Sequence, residues 1–272
     1  MYQPGRQLIT QLMHGARLTR TAGTLALAIA ALMWPTMAAD PAASKAAAPV
    51  ADGDPPVGAL FSMSDGHLES HFCTASVIDS PAGDLLVTAA HCVSGYSDTS
   101  PAGLVFVPAF DSGKAPYGIW TVTRFFVDSS WAASSDPDDD VAFLEVSQPG
   151  SGFSIQDIIG GERLGIGQPA GGIVRVTGYP DDQQQPISCQ NQVSAFGPGQ
   201  LEFDCDNFTD GTSGSAFLTD VNLATGEGTV IGVLGGYQQG GDTPDVSYAA
   251  VFGGGVQALY DTAISRHPAD AG

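Results

Sequence analysis

Three stretches of this chain carry side chains that could do chemistry together. Gly211-Thr212-Ser213-Gly214-Ser215 sets a serine among glycines, where the backbone can turn sharply and present a hydroxyl beside neighbouring N–H groups. A serine hydroxyl is a weak nucleophile by itself, so it needs a base within hydrogen-bond reach and a third group to orient that base. Leu86-Val87-Thr88-Ala89-Ala90-His91-Cys92 offers an imidazole, and Asp138-Asp139-Asp140-Val141-Ala142-Phe143-Leu144 offers carboxylates. Asp140 is expected to be the buried one because it abuts the apolar run Val141 to Leu144, whereas Asp136, Asp138 and Asp139 read as a solvated acidic turn. Ser215 is the rival hydroxyl. In chain order the reading is His91, Asp140, Ser213.

The elements that must position these groups are short strands. Runs rich in β-branched and aromatic residues, among them Phe72 to Ile78, Leu85 to Thr88, Ile119 to Val127, Val141 to Val146, Ile173 to Thr177 and Thr229 to Leu234, recur between turn signals. With 35 glycines and 18 prolines, and no strand–helix alternation, the pattern predicts an all-β antiparallel sandwich or barrel. Only the end reads as helix, with Val256, Leu259, Tyr260 and Ile264 forming one apolar stripe.

Residues 1–39 read as a signal peptide: Arg6, Arg17 and Arg20 precede an apolar run from Thr21 to Met33, followed by the small residues Ala38 and Ala39. An uncleaved anchoring helix is the other reading. The segment 40–57, rich in Ala, Pro, Asp and Gly, is expected to be a flexible linker or short pro-segment. The whole chain has 272 residues, 9 basic and 29 acidic. The three leader arginines are its only charges, so the remainder carries 6 basic groups and a formal charge of -23. Such a surface disfavours nucleic acid and anionic membranes, which call for basic clusters. Cys73, Cys92, Cys189 and Cys205 are an even number in an exported chain, which argues for disulfides. Of three connectivities, the neighbours Cys73–Cys92 and Cys189–Cys205 are the expected pairs. A zinc site is disfavoured by the lack of C-x-x-C.

Taken together, Thr88-Ala89-Ala90-His91-Cys92, Asp140-Val141-Ala142-Phe143-Leu144 and Gly211-Thr212-Ser213-Gly214-Ser215 resemble the signature stretches of the chymotrypsin-like serine peptidases, in particular their bacterial secreted branch. The resemblance covers roughly 58–265. It implies two antiparallel six-stranded β-barrels joined near 147–173, with a C-terminal helix. It implies a secreted, extracellular endopeptidase needing no cofactor or metal, a monomer acting on peptide or protein substrates, with no nucleic acid and no membrane once the signal is removed. Ser213 would attack, His91 would shuttle the proton, Asp140 would fix the imidazole, and the N–H groups of Gly211 and Ser213 would form the oxyanion hole. An esterase-like hydrolase with the same triad, and a catalytically silent homologue that binds peptides or a partner, are the alternatives.

Two departures from the family matter. The animal digestive members carry an aspartate immediately before the nucleophile, which a new N-terminus pairs on activation; here that position is Thr212. The expectation is an oxyanion hole organised without that switch. Ser215 follows Gly214 where many members have glycine. For substrate binding, the position six before the nucleophile is Asn207, so a trypsin-type preference for Lys or Arg is not supported. Leu234-Gly235-Gly236-Tyr237 resembles the strand edge that pairs with extended substrate, and no histidine lies between Thr229 and Tyr237, against a glutamate preference. A neutral, apolar or small side chain at the scissile bond is the expectation.

Overall fold

A computed structural model of the chain describes residues 46–49 and 54–265. The expected signal peptide lies outside the described residues. The first half forms a closed barrel of six antiparallel strands, β2 (Val57–Ser64), β3 (His67–Ile78), β4 (Leu85–Thr88), β5 (Leu104–Pro108), β6 (Trp120–Val127) and β7 (Ala142–Ser147), in the order β2-β3-β4-β7-β6-β5 with β5 returning to β2. The second half forms an eight-stranded sheet. Its antiparallel strands β9 (Ile173–Gly178), β10 (Ile187–Phe196), β11 (Gln200–Asp206), β12 (Ala216–Thr219), β13 (Thr229–Val233) and β14 (Val246–Ala250) run in the order β14-β11-β10-β9-β12-β13. A single antiparallel bridge, Leu234 to Ala249, joins the two ends of that run. Six strands thus come round on themselves again, but through one bridge rather than a full ladder.

Two further strands pair in parallel and depart from the all-antiparallel expectation. β8 (Arg163–Leu164) lies beside β13, and β1 (Ala46–Ala47) beside Cys205 and Asp206 at the end of β11, past the last residue paired to β14. The Ala48 N–H donates to the Asp206 carbonyl at 3.3 Å and the Ser188 N–H to the Pro49 carbonyl at 3.0 Å. The stretch 46–49 is therefore a docked strand end. An unpaired sheet edge offers hydrogen-bond partners that composition does not reveal.

Alternation along each strand decides which core a side chain joins. In β4, Leu86 packs with Leu60, Val77, Phe106 and Trp120 inside the first barrel, whereas Leu85 and Val87 join Val233, Phe252, Val256 and Leu259 in a cluster shared with the second sheet. In β7, Leu144 and Phe143 divide in the same way. Both faces of these strands are buried, which is why they read as unbroken apolar runs. Helix α3 (Gly254–Ser265) buries Val256, Leu259 and Ala263 in the shared cluster, with Tyr260 and Ile264 packed beside them. Two short helices were not legible. α1 (Ser129–Ser134) buries no side chain and is started by Asp128, whose carboxylate accepts from the Ser130 N–H at 2.7 Å. α2 (Ile155–Ile159), within the join, carries a reciprocal capping box between Ser154 and Asp157. Among the described residues no helix is long and apolar enough to cross a membrane.

Candidate active site

His91 stands in a single 3-10 turn, Ala90–Val93, directly after β4. The expected pairing of cysteines is found, and the Cys73–Cys92 disulfide, Cα to Cα 6.1 Å, ties this turn to β3. Cys189–Cys205 links β10 to β11 with Cα atoms 6.6 Å apart. The His91 ring lies close to the sulfurs of Cys73 and Cys92, but a cystine has no thiolate to offer a metal.

Asp140 follows the 3-10 turn Pro137–Asp139 and is fully buried. Asp136 and Asp138 are exposed and Asp139 half-buried, as the neighbouring apolar run foretold. Three donors converge on the Asp140 carboxylate. Oδ1 accepts from the His91 backbone N–H at 2.9 Å, and Oδ2 accepts from His91 Nδ1 at 2.8 Å and from the Gly236 N–H at 2.8 Å. The carboxylate grips both the main chain and the ring of His91, which puts the proton of the neutral imidazole on Nδ1 and leaves the Nε2 lone pair free to accept one. Gly235 lets this happen, since a Cβ there would lie 2.8 Å from Asp140 Oδ2 and 3.1 Å from the Ala89 Cβ.

Ser213 lies on the loop that enters β12, half-buried, and its carbonyl accepts from the N–H of Thr74 in β3 at 2.7 Å. That bond brings the serine loop to the strand carrying Cys73, the disulfide partner of His91's neighbour. His91 and Asp140 are joined by hydrogen bonds; none joins Ser213 Oγ to His91. The rival Ser215 is fully buried and donates to the Thr212 carbonyl at 2.7 Å, a structural bond that takes its hydroxyl out of contention.

A backbone census of residues 210–214 is informative because buried peptide groups need partners. The carbonyl of Asp210 accepts from the Asp181 N–H, that of Gly211 from Thr74 Oγ1, that of Thr212 from the Ser215 N–H, and that of Ser213 from the Thr74 N–H. The N–H of Thr212 donates to Thr209 and that of Gly214 to Leu234. Among the described residues the N–H groups of Asp210, Gly211 and Ser213 in this stretch donate to no protein acceptor; Asp210 is exposed, whereas Gly211 is buried and Ser213 half-buried. Gly211 has φ 90°, and a Cβ there would sit 2.5 Å from the Tyr179 carbonyl oxygen, so both conformation and space require glycine.

Beside Ser213 opens a pocket of about 230 Å³ lined by Phe208, Thr209, Asp210, Thr212, Leu234 and the loop Gln239 to Pro244. Asn207, expected at its base, is instead exposed with φ 76° and does not line it; Phe208 does. Leu234, Gly235 and Gly236 lie between the serine loop and Asp140. Most of their backbone is already engaged: Leu234 N–H donates to Ser215, Gly235 N–H to Tyr248, Gly236 N–H to Asp140, and the carbonyls of Leu234 and Gly236 accept from Gly214 and Gln239. Of the six groups, the Gly235 carbonyl alone is left for an extended peptide. On the far side of His91 an open cleft of about 480 Å³ is lined by Ser62, Glu69, Phe72, Ser94 and Tyr96.

Sequence reasoning missed Thr74, Thr88, Phe208 and the role of the Gly236 N–H. The two threonines had a readable signal, because each sits within an otherwise buried strand, where a hydroxyl must find a partner.

The family of trypsin-like peptidase domains matches this chain over residues 73–233. None of the curated proteins matches it. Among solved structures it is similar to the protease Anisep from Arthrobacter nicotinovorans, at 22% identity and TM-score 0.66, covering 79% of this chain and 98% of that one. A thermostable serine protease, AL20, from an extremophilic microorganism is 25% identical with TM-score 0.65, covering 79% and 99%. A Glu endopeptidase in complex with MPD has 16% identity and TM-score 0.62, covering 82% and 99%.

Proposed function

Because the chain belongs to the trypsin-like peptidase family, we propose that it is an exported serine endopeptidase that cleaves peptide bonds through an acyl-enzyme on Ser213. Ser213 Oγ attacks the scissile carbonyl carbon while His91 Nε2 takes its proton. Asp140, held by three donors, keeps the ring in the accepting tautomer and stabilises the imidazolium that forms. The developing oxyanion is received by the N–H groups of Gly211 and Ser213. The amine leaves with the proton from His91, and water repeats the cycle to release the acid. The observation that carries this reading is the double grip of Asp140 on His91, together with a serine loop in which the N–H groups of Gly211 and Ser213 have no protein acceptor.

The two open volumes suit the two sides of a peptide. The pocket beside Ser213 receives the side chain of the acyl half, and the cleft past His91 the leaving half. With the acidic residues Asp210 and Asp242 as the charged members of its lining, beside Phe208 and Leu234, the pocket repels an acidic side chain. The two disulfides suit an oxidising compartment outside the cytoplasm.

A fluorophosphonate probe tests the proposal directly. It is expected to label Ser213 of the folded protein, with labelling and hydrolysis of a denatured protein substrate both lost in Ser213→Ala. Hydrolysis persisting in that variant would overturn the reading.

A further inference from the structure

Thr74 sits in β3, fully buried, one residue after the cysteine that anchors the His91 turn. Three of its polar atoms reach the active-site architecture. Its N–H donates to the Ser213 carbonyl at 2.7 Å, its hydroxyl donates to the Gly211 carbonyl at 3.1 Å, and the same hydroxyl accepts from the Tyr179 N–H at 2.9 Å. Its carbonyl accepts from Thr88 Oγ1 at 2.7 Å, three residues before His91. One residue thus binds the carbonyls of both Gly211 and Ser213, whose own N–H groups have no protein acceptor.

Resting on the peptidase reading above, we propose that Thr74 is the positioning residue of the oxyanion hole, its hydroxyl locking the Gly211 peptide so that the N–H groups of Gly211 and Ser213 stay aimed at the substrate. The reasoning is geometric. Peptide groups are rigid planes, so fixing the Gly211 and Ser213 carbonyls toward β3 fixes the Gly211–Thr212 and Ser213–Gly214 planes, which adjoin the two planes that carry the Gly211 and Ser213 N–H groups. The intervening Thr212 carbonyl is drawn inward by Ser215, and the Asp210 carbonyl by the Asp181 N–H at 2.8 Å. With all four carbonyls committed, rotating the Gly211 or Ser213 N–H away would break at least one buried hydrogen bond. The segment from Tyr179 to Asp181 backs the loop and is itself held, since His71 Nε2 donates to the Pro180 carbonyl at 2.8 Å. Thr212 has no acid with which to pair a new N-terminus, and its hydroxyl donates to the Thr209 carbonyl at 2.7 Å instead. The Thr74 hydroxyl therefore supplies, from the opposite barrel, an order that does not depend on processing at the N-terminus.

Thr74→Val removes the hydroxyl at nearly constant shape while keeping the N–H; Thr74→Ser keeps the donor; Thr74→Ala removes it without crowding. Rates of peptide hydrolysis and affinity for a peptidyl aldehyde, which forms a tetrahedral adduct, are measured for each, normalised to folded protein by circular dichroism. Losing one donor of an oxyanion hole costs about 100- to 1,000-fold, and misaiming one should cost somewhat less. The expected result is a fall in kcat of about 10- to 100-fold in the Val and Ala variants, with KM within about twofold, aldehyde affinity falling in step, and Thr74→Ser recovering most of the rate. Wild-type kcat in Thr74→Val, a loss confined to KM, Ser as impaired as Val, or failure of both Val and Ala variants to fold would each overturn the assignment. Failure of the peptidase reading would appear separately, as hydrolysis that survives Ser213→Ala.

Discussion

Replacing Asp140 by asparagine puts the arrangement of the candidate triad to its hardest test. Three N–H donors converge on the carboxylate, one on Oδ1 and two on Oδ2. Asparagine has one acceptor oxygen. Set at the Oδ2 position, it keeps the bonds to His91 Nδ1 and the Gly236 N–H but turns its amide hydrogens on the His91 backbone N–H. Set at the Oδ1 position, it satisfies that N–H alone, faces the Gly236 N–H with a donor, and drives His91 to the tautomer protonated on Nε2, which cannot accept from Ser213. Either way a buried donor is orphaned, at a cost of about 1–3 kcal/mol in stability. The wrong tautomer in this kind of triad lowers kcat by ~10⁴, or about 5 kcal/mol of barrier at ~1.36 kcal/mol per decade. Asp140→Asn is therefore expected to unfold at modestly lower denaturant, to remain folded at 25 °C, and to lose three to four decades of kcat, read by hydrolysis of a fluorogenic peptide and by the rate of fluorophosphonate labelling. A variant retaining more than about a tenth of wild-type kcat would refute the reasoning, since one setting of the asparagine gives the wrong tautomer and the other, though it keeps the right one, removes the negative charge that stabilises the imidazolium.

Three further outcomes follow from the packing. Gly235→Ala drives a Cβ against Asp140 Oδ2 and Ala89, so activity should fall at least ~10-fold with a stability loss of about 1–3 kcal/mol; Gly253→Ala, where a Cβ meets nothing within 4 Å, should leave both unchanged. Glu162 is fully buried, and desolvation, with Asp54 and Glu227 nearby and only partial relief from the Gly228 N–H and Arg175, pushes its carboxyl up to about 7. Its folded pKa stands above the unfolded value, so its contribution is fully present below about pH 4.5 and is lost as pH rises through about 7, a loss of ~2–3 kcal/mol. The thermal unfolding temperature of wild type should accordingly drop between about pH 4.5 and 7, and Glu162→Gln should flatten that drop; an unchanged slope in the variant would exclude Glu162 as the source. Replacing Cys73 and Cys92 together by serine should lower stability by about 2–4 kcal/mol in denaturant melts and reduce kcat as well, because Cys92 adjoins His91, whereas the Cys189 and Cys205 pair should affect chiefly stability.

Much of this molecule is written in local patterns. The three stretches around His91, Asp140 and Ser213, the β-rich punctuation, the neighbouring cysteine pairs and the apolar stripe of the last helix are all short-range features, set by residue type and spacing over fewer than twenty positions. The burial of Asp140 beside three wetter acids was legible for the same reason, since the apolar run that follows it must go inside. By contrast α1 has no apolar face to read, and β1 and β8 are strands only because another strand's edge was available to pair with them. The exclusion of Asn207 from the pocket is a matter of loop conformation, its left-handed φ turning the chain so that Phe208 faces inward instead.

What residue types and their order determined is which groups can act; what the fold alone decided is which of them are left free to do so. Thr74 and Gly211 are separated by 137 residues and His91 and Asp140 by 49, so no local pattern could say that one threonine would take the carbonyls flanking the nucleophile or that one carboxylate would take three donors. Hydrogen bonding saturates: each donor serves one acceptor well. Which N–H groups remain unspent is therefore known only once every distant strand has claimed its own.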